Sequence, residues 1–195
     1  MFKRIARIIL IGGGATMLAM AIALVWLKAH EDELVFAAAR SRQHMLTVLP
    51  AEAESAAVSL PSGTKLAGLM YRADGRVDHA FWVLHLHGNA DSAFSPLQVR
   101  HCEALRRSGF NVLEVDYRGF GPTPGLPSEA GMYEDSEAAY QDLLRRGVPP
   151  NRIILLGHSL GSGPAVQLAT RHQAAALVLF GRRTDLPAGV DAPGV

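Results

Sequence analysis

The chain contains the segment Arg152-Ile-Ile-Leu-Leu-Gly-His-Ser-Leu-Gly-Ser-Gly-Pro-Ala165. Its apolar start predicts a buried strand and its end predicts a helix, with Ser159 on the turn between them. Gly157 and Gly161 flank the serine and leave the clearance that so tight a turn needs, and Gly163 is predicted to let the helix pack close to the strand. A serine held on such a turn is typical of a nucleophile, so we expect covalent chemistry at Ser159.

Strands and helices alternate along the rest of the chain. The predicted strands are two short ones within 57–71, broken by a turn at 61–63, then 80–87, 111–117, 152–156 and 174–180, the last of them buried. The predicted helices are 97–107, 129–146 and 160–172. Apolar side chains recur at helical spacing from Met132 to Leu144, which makes 129–146 the clearest helix. This order indicates βαβ units, hence an α/β fold with a doubly wound, mostly parallel sheet.

Composition narrows the class of protein. A length of 195 residues suits one domain with a sizeable core, and a net charge of +1 without a basic patch gives no indication of nucleic-acid binding. The single cysteine, Cys102, excludes an internal disulfide and a cysteine-based metal cluster, and we expect it in the core. His85 and His87 alternate on a predicted strand, with no carboxylate or third histidine nearby in sequence. No metal and no cofactor is therefore expected.

An apolar segment lies near the N-terminus. Residues 8–27 carry no charge and are numerous enough to cross a bilayer as a helix. Lys3, Arg4 and Arg7 precede this segment, and acidic residues 31–33 follow it. The positive-inside rule then predicts a cytoplasmic N-terminus, with the remainder periplasmic or extracellular. A cleaved signal peptide is the alternative, but its apolar core would be shorter, so we expect an uncleaved, single-pass anchor.

Two further motifs precede the serine in the order that an acyl-transfer enzyme would use. The segment Leu84-His-Leu-His-Gly-Asn-Ala-Asp91 ends a strand in a glycine turn, which can present backbone N–H groups to a developing oxyanion. The N–H of Leu160, at a helix N-terminus, is expected to be a second donor. The segment Asp116-Tyr-Arg-Gly-Phe-Gly121 runs from a strand into a loop at the same sheet edge. Asp116 beside Arg118 indicates a structural ion pair rather than a catalytic carboxylate.

Together these motifs, with Pro127-Ser-Glu-Ala-Gly-Met-Tyr-Glu-Asp-Ser-Glu137, resemble the α/β-hydrolase superfamily. The resemblance covers about residues 57–180 and is to membrane-tethered serine hydrolases with a His-Gly-Asn oxyanion loop and an Asp-Tyr-Arg-Gly loop. It implies that Ser159 is the nucleophile and that the backbone N–H groups of Asn89 and Leu160 form the oxyanion hole. The residues that it implies to support the site are His87, Gly88, Asp116, Arg118, Gly157 and Gly161.

The resemblance also divides the chain into four parts. Residues 1–30 are expected to form the basic cytoplasmic flank and the transmembrane anchor, and residues 31–56 a helical, partly charged stalk. Residues 57–180 are the partial α/β-hydrolase domain, without the last strands of the fold. Residues 181–195 are an irregular tail, rich in Gly, Pro, Ala and Arg. Because this tail has no apolar periodicity, we expect a frameshift or a premature stop near residue 180 and an apolar sheet edge left uncovered.

The other members of a catalytic triad are missing from the pattern. A serine nucleophile needs a histidine base and a carboxylate, and in this superfamily they follow the serine in the order acid, then histidine. After Ser159 the carboxylates are Asp185 and Asp191, and the one histidine, His172, precedes both on a predicted helix. The chain as written is therefore expected to be C-terminally truncated and inactive.

Three functions stay open at this point. The first is a membrane-anchored serine hydrolase that acts on a small-molecule ester, thioester or amide. The second is a truncated pseudoenzyme that is inert or only binds a ligand, and the third is an enzyme whose acid and base come from a partner chain. His158 is expected to pack or to lie on the rim of the site. His101 and His172, on predicted helices, are expected to be surface or core residues with no catalytic role. The substrate cannot be chosen from the fold.

Overall fold

The structure is a computed structural model that describes residues 2–36, 41–43, 45–75 and 80–181. The chain divides after Phe36 into two units. The N-terminal unit consists of helix α1 (Phe2–Ala29) and the short helix α2 (Glu31–Val35). Within α1, Gly12–Ala29 is long and apolar enough to cross a membrane. The predicted apolar segment, 8–27, therefore lies on one continuous helix.

The second unit is built on one six-stranded sheet. Its strands are β1 (Ala53–Ser59), β2 (Lys65–Tyr71), β3 (Trp82–Leu86), β4 (Asn111–Val115), β5 (Ile153–His158) and β6 (Ala176–Phe180). They lie in the order β1-β2-β4-β3-β5-β6. The β1–β2 and β2–β4 pairs are antiparallel, whereas the β4–β3, β3–β5 and β5–β6 pairs are parallel. The predicted α/β fold with a mostly parallel sheet is confirmed.

Three helices connect the parallel strands. They are α3 (Pro96–Arg107), α4 (Glu129–Arg145) and α5 (Ser162–Arg171). Helix α4 buries five of the six side chains that were predicted to face the sheet, Met132, Ser136, Ala139, Tyr140 and Leu143, whereas Leu144 is half-buried. The hydroxyl of Ser128 accepts a hydrogen bond from the N–H of Gly131 and so caps the start of α4. Its predicted start and face are both confirmed.

The sheet begins earlier than the hydrolase domain predicted from sequence. Strand β1 starts at Ala53, which pairs with Tyr71 of β2, so part of the segment predicted as a stalk (31–56) belongs to the sheet. Short polar and small side chains in β1 obscured its alternation. Its burial alternates only in its second half, where Ala56 and Val58 are buried.

Strand β6 is exposed over its whole length, and the prediction of a buried strand there is wrong. The exposed fractions are 40% for Leu177, 44% for Val178, 46% for Leu179 and 37% for Phe180. Within the described residues β6 pairs with β5 alone, so its outer edge has no neighbouring strand. An apolar run thus lies at the edge of the sheet, as expected for an uncovered edge.

The central strands carry the site. All five residues of β3 are buried, because parallel neighbours flank this strand on both sides and helices cover the sheet. Strands β3, β4 and β5 run in the same direction, so their carboxyl ends meet at one edge. In open parallel sheets this edge is where ligands bind.

Candidate active site

Ser159 lies on a strained turn at the carboxyl end of β5. Residues Ser159–Gly161 form a single 3-10 turn that leads directly into α5. The φ angle of Ser159 is 51°, in the left-handed region that side chains with a Cβ rarely adopt. Among the described non-glycine residues, only Ser159 and Ala90 (φ 65°) have a positive φ. Such strain is typical of functional sites, and both residues lie at the same sheet edge.

Two glycines allow this turn to form. A Cβ on Gly161 would lie 2.0 Å from the carbonyl oxygen of Leu86, at the end of β3. A Cβ on Gly157 would lie 2.8 Å from the Cα of Ser162, the first residue of α5. Gly163 has no such role, contrary to our expectation, because its Cβ would make an ordinary contact of 3.7 Å with the hydroxyl of Tyr133.

The loop after β3 lies against the serine. A Cβ on Gly88 would meet the Cβ of Ser159 at 3.4 Å, so the Gly88 backbone packs directly beside the serine side chain. The next residue, Asn89, accepts a hydrogen bond through its side-chain oxygen from the N–H of Ala90, at 3.2 Å. The segment that was predicted to carry one oxyanion donor is therefore next to Ser159, whose neighbour Leu160 carries the other. Their role as donors stays a prediction.

A cleft of about 550 Å³ opens beside the serine. Its lining residues are Gly88, Asn89, Ala90, Asp91, Leu97, His101, His158, Ser159, Phe180 and Gly181. Ser159 is exposed, so its hydroxyl is accessible from solvent. The volume is within the range of small-molecule sites.

Asp116 holds the loop after β3 in place from the neighbouring strand end. Its carboxylate accepts hydrogen bonds from the Ser92 hydroxyl and the Ala93 N–H, both at 2.7 Å. Its Oδ1 also lies 3.3 Å from Nε2 of His87. Through Nδ1, His87 donates to the carbonyl oxygen of Gly88 at 2.9 Å. Burial by itself would lower the pKa of His87, but the hydrogen bond and charge of Asp116 outweigh it and raise that pKa.

Arg118 pairs with α4 and not with Asp116, so the ion pair expected from sequence is wrong. Its backbone N–H and its Nε each donate to the Asp135 carboxylate at 2.7 Å. A terminal guanidinium nitrogen donates to Glu134 at 2.6 Å and to the Gly131 carbonyl oxygen at 3.0 Å. The two neighbours on one loop point to different partners, because the chain turns sharply at 117–120.

The histidines in the described residues interact with groups other than the Ser159 hydroxyl. The ring of His158 stacks on Phe180, with centroids 4.5 Å apart, and its Nδ1 lies 3.8 Å from Asp91. Burial lowers the pKa of His158, against the raising effect of Asp91. His101 packs edge-on against the same Phe180 ring at 6.3 Å. Both histidines line the cleft. This agrees with the packing or rim position predicted for His158, whereas His101 was predicted to be a surface or core residue.

His172 lies outside the cleft. Its Nε2 is 2.8 Å from the Glu137 carboxylate, and its ring stacks on Tyr140 at 4.6 Å between centroids. Both partners belong to α4, so the geometry agrees with a packing role for His172 at the junction of two helices. Asp185 and Asp191 lie outside the described residues.

Comparison with known protein families shows to which family this chain belongs. The family model described as serine aminopeptidase, S33 matches residues 78–192, more than half of the chain. The chain belongs to the α/β-hydrolase superfamily. The matched range includes the loop after β3, the Asp116–Gly121 loop and the serine turn.

Curated relatives cover the same part of this α/β-hydrolase. The chain is 41% identical over 128 residues to the uncharacterized protein YfhR of Salmonella typhimurium, a match that covers 63% of this chain and 42% of that protein. It is 40% identical over 100 residues to the alpha/beta hydrolase domain-containing protein 17C of Xenopus tropicalis, covering 51% of this chain and 32% of that one. The chain therefore spans less than half the length of these relatives.

Solved structures support the same fold. An alpha-beta hydrolase from Vibrio vulnificus superimposes with a TM-score of 0.56 at 27% identity, over 65% of this chain and 44% of that one. The protein XC6422 from Xanthomonas campestris, described as an a/b serine hydrolase without lid, superimposes with a TM-score of 0.56 at 19% identity, over 69% and 63%. The second similarity concerns the fold alone.

Sequence reasoning missed two residues that hold the Asp116–Gly121 loop of this hydrolase. The hydroxyl of Ser41 accepts a hydrogen bond from the Gly121 N–H at 2.8 Å. Arg42 donates to the carbonyl oxygens of Gly121 and Gly119, at 3.1 and 2.9 Å. Both lie in the segment predicted as a stalk, where no motif or periodicity distinguishes them.

No carboxylate lies near His85 in the sequence, but the fold places one beside it in space. The parallel pairing of β3 and β4 places Glu114 directly beside it, and Cys102 of α3 is packed against both. Cys102 is fully buried, as predicted. A charged residue in the middle of the apolar run Asn111-Val-Leu-Glu-Val115 was the available signal, because a buried carboxylate needs a partner.

Proposed function

We propose that this chain carries the nucleophile and the oxyanion-binding elements of a membrane-anchored serine hydrolase that acts on a small-molecule ester, thioester or amide. The observation that carries the proposal is the position of Ser159, strained at φ 51° on the turn after β5 and exposed to a cleft beside Gly88. Membership of a family described as serine aminopeptidase supports acyl transfer as the reaction class.

In the proposed reaction Ser159 Oγ forms a bond to the substrate carbonyl carbon while its proton passes to a base. The carbonyl π electrons move onto oxygen, and the backbone N–H groups of Asn89 and Leu160 stabilise that oxyanion. Collapse of the tetrahedral intermediate expels the alcohol, thiol or amine, which takes up the proton. Water then hydrolyses the acyl-enzyme by the same two steps, with water as the nucleophile and the Ser159 oxygen as the leaving group, which takes up the proton.

The proposed oxyanion hole is supported by the packing of the loop after β3. Gly88 packs on Ser159, and the loop that follows it is held by the buried Asp116 through Ser92 and Ala93. A rigid loop keeps N–H donors pre-oriented, which is what makes such donors effective. The N-terminus of α5 directly after the turn adds a favourable dipole.

The base and its acid are proposed to come from outside the described residues. His158 and His101 contact Phe180, and His172 pairs with Glu137, so no described histidine is oriented by a carboxylate toward Ser159. We therefore propose that the described residues do not complete a catalytic triad and that the hydrolase does not turn over without a base and an acid from elsewhere. A longer form of the chain, or a partner chain that pairs with the exposed edge strand β6, would supply these groups. Without either, the chain is a pseudoenzyme or a binding module.

Residues 8–27 are proposed to anchor the hydrolase unit to a membrane. Support comes from the continuous helix α1, whose segment Gly12–Ala29 is apolar enough to span a bilayer. Basic residues precede the segment and acidic residues 31–33 follow it, so the N-terminus is proposed to be cytoplasmic and the hydrolase unit exported. Export followed by signal cleavage is the alternative.

The Ser159→Cys variant tests the nucleophile and the oxyanion hole together. A thiol needs a base much less than a hydroxyl does, so this variant is expected to be acylated at position 159 by p-nitrophenyl acetate. Acylation passes through an oxyanion whereas alkylation by iodoacetamide does not. We expect the ratio of the two rates to be at least about 10-fold higher in the folded variant than in urea.

The chain provides its own control for this experiment. Cys102 is fully buried and burial raises its pKa well above that of an ordinary thiol, so peptide mass mapping should find it unmodified in the folded protein. A ratio that does not change on unfolding would refute the oxyanion hole. Modification at Cys102 before position 159 would refute the exposed serine turn.

A further inference from the structure

Three metal-ligating side chains meet beneath the floor of the cleft. His85 of β3 and Glu114 of β4 are register partners in the parallel pair, and Cys102 projects from α3 onto them. All three are fully buried. The Cys102 Sγ lies 2.9 Å from Glu114 Oε2 and 3.7 Å from His85 Nδ1, and His85 Nδ1 lies 3.3 Å from Glu114 Oε1.

These distances fit three ligands of one ion. The potential ligand atoms all lie within 4.8 Å of one another. Around a tetrahedral zinc ion, a nitrogen and an oxygen ligand would be about 3.4 Å apart, and a sulfur would be about 3.6 Å from either of them. The His85–Glu114 and His85–Cys102 distances are already close to these values. The shorter Cys102–Glu114 distance is a thiol hydrogen bond, which would lengthen once the thiol loses its proton.

The polar atoms of this group are incompletely satisfied by the described residues. Oε1 of Glu114 faces His85 Nδ1 without hydrogen-bond geometry, and Nε2 of His85 has no hydrogen-bond partner among those residues. The nearby hydroxyl of Tyr71 is also buried and has none. Buried polar atoms are normally paired, so the unpaired Oε1 of Glu114, which lies 3.3 Å from Nδ1 of His85, favours a ligand between them.

Charge balance favours a divalent cation as that ligand. A thiolate, a carboxylate and a neutral imidazole around a divalent ion make a site with no net charge, which burial tolerates. Binding breaks the Cys102 S–H bond, and the proton leaves to solvent as the thiolate coordinates the ion.

We propose that His85, Cys102 and Glu114 bind one divalent transition-metal ion of the zinc class. The mixture of thiolate, imidazole and carboxylate selects such ions over calcium or magnesium, which take oxygen ligands. The bound ion would tie α3 to the sheet under the cleft. The site lies close to the cleft, since the His85 ring is 6.5 Å from the His101 ring and 6.4 Å from the Phe180 ring, and both of those residues line the cleft.

Cobalt(II) titration of the 195-residue chain in detergent tests this site. We expect one ion per chain, a near-ultraviolet thiolate-to-cobalt charge-transfer band and a rise of about 5 °C in melting temperature at saturating zinc. The band should be lost in Cys102→Ser. In Glu114→Gln the affinity for cobalt should fall at least about 10-fold. His158→Gln should keep the band, because it removes a cleft histidine and no proposed ligand.

The outcome that overturns the proposal is equally specific. Cobalt or zinc that binds with unchanged stoichiometry in Cys102→Ser would show adventitious sites elsewhere in the chain. Absence of the band in the wild type, with Cys102 shown to be reduced by thiol titration after unfolding, would also refute it. If Cys102→Ser fails to fold, Cys102→Ala and Glu114→Gln provide the same comparison, and near-ultraviolet circular dichroism reports their folding.

Discussion

Gly161 is the residue on which the turn at Ser159 depends most. Its Cβ would overlap the Leu86 carbonyl oxygen at 2.0 Å, so Gly161→Ala must displace backbone and is expected to destabilise the fold by about 3 kcal/mol. Gly163→Ala, whose Cβ would meet Tyr133 at 3.7 Å within α5, is expected to be neutral or to stabilise by up to about 1 kcal/mol. Urea denaturation of both variants measures the difference, and equal stabilities would contradict the close approach of turn and strand.

Single residues also show what the sequence could not predict. The pattern placed Asp116 and Arg118 on one loop, and adjacency suggested that they pair. In the structure Asp116 contacts His87 and the loop after β3, whereas Arg118 contacts Asp135. The direction of a side chain at a turn depends on the backbone torsion angles, which cannot be derived from the spacing of residues in the sequence. Glycine positions were easier to predict, because a turn with a positive φ limits the side chains around it.

At the level of elements, Arg118 connects the Asp116–Gly121 loop to α4. Asp135 is fully buried, while the Arg118 side chain is 24% exposed. Arg118→Gln would leave a buried carboxylate uncompensated and is expected to cost about 3 kcal/mol at neutral pH. Glu134→Gln removes the other partner, which is 68% exposed, and should cost less than about 1 kcal/mol. Thermal unfolding of the two variants checks this contrast.

The loss of folding stability caused by Arg118→Gln should become smaller as the pH falls. Burial raises the pKa of Asp135 above its unfolded value, although the Arg118 contacts lower it. A carboxyl whose folded pKa is raised penalises the folded state above that pKa, and protonation relieves the penalty as the pH falls. The gap between Arg118→Gln and wild type should therefore shrink toward acid pH. A gap that widens on acidification would contradict an uncompensated charge at Asp135.

The edge strand β6 is expected to drive self-association. Its apolar residues are 37–46% exposed, and an open apolar edge is a template for pairing. Leu179→Lys should shift the detergent-solubilised chain toward the monomer in sedimentation velocity. Val166→Lys, a substitution at a similarly exposed apolar residue of α5, should leave the distribution unchanged. If both variants behave as wild type does, β6 is not the associating surface.

Elements were predicted well where periodicity and capping agree. Helix α4 has an apolar face, a serine cap and a terminal glycine, and its observed bounds match the prediction to within one residue. Strand β6 was identified as a strand, but its burial was wrong, because an apolar run reports β-propensity and not the presence of a neighbour. The grouping of His85, Cys102 and Glu114 depends on strand pairing and helix packing, which local patterns do not contain.

For the whole molecule, the proposed topology predicts the side of the membrane on which each end lies. Alkaline phosphatase fused after residue 195 and expressed in a bacterial host should be active, because this enzyme matures only outside the cytoplasm. Changing Lys3, Arg4 and Arg7 to Glu should lower the activity at least about 5-fold, since the basic flank sets the orientation. Activity that does not depend on these charges would contradict the proposed orientation of α1.

The central claim concerns Ser159, a positioned nucleophile that lacks a base among the described residues. A fluorophosphonate probe on the 195-residue chain, with and without added imidazole, tests it most directly, because imidazole is small enough to enter the cleft and act as the general base. We predict negligible labelling of the wild type alone, at least about 10-fold faster labelling with imidazole, and none in Ser159→Ala. Rapid labelling without imidazole would contradict the claim that Ser159 lacks a base. Failure of imidazole to produce Ser159-dependent labelling would contradict the position of the nucleophile.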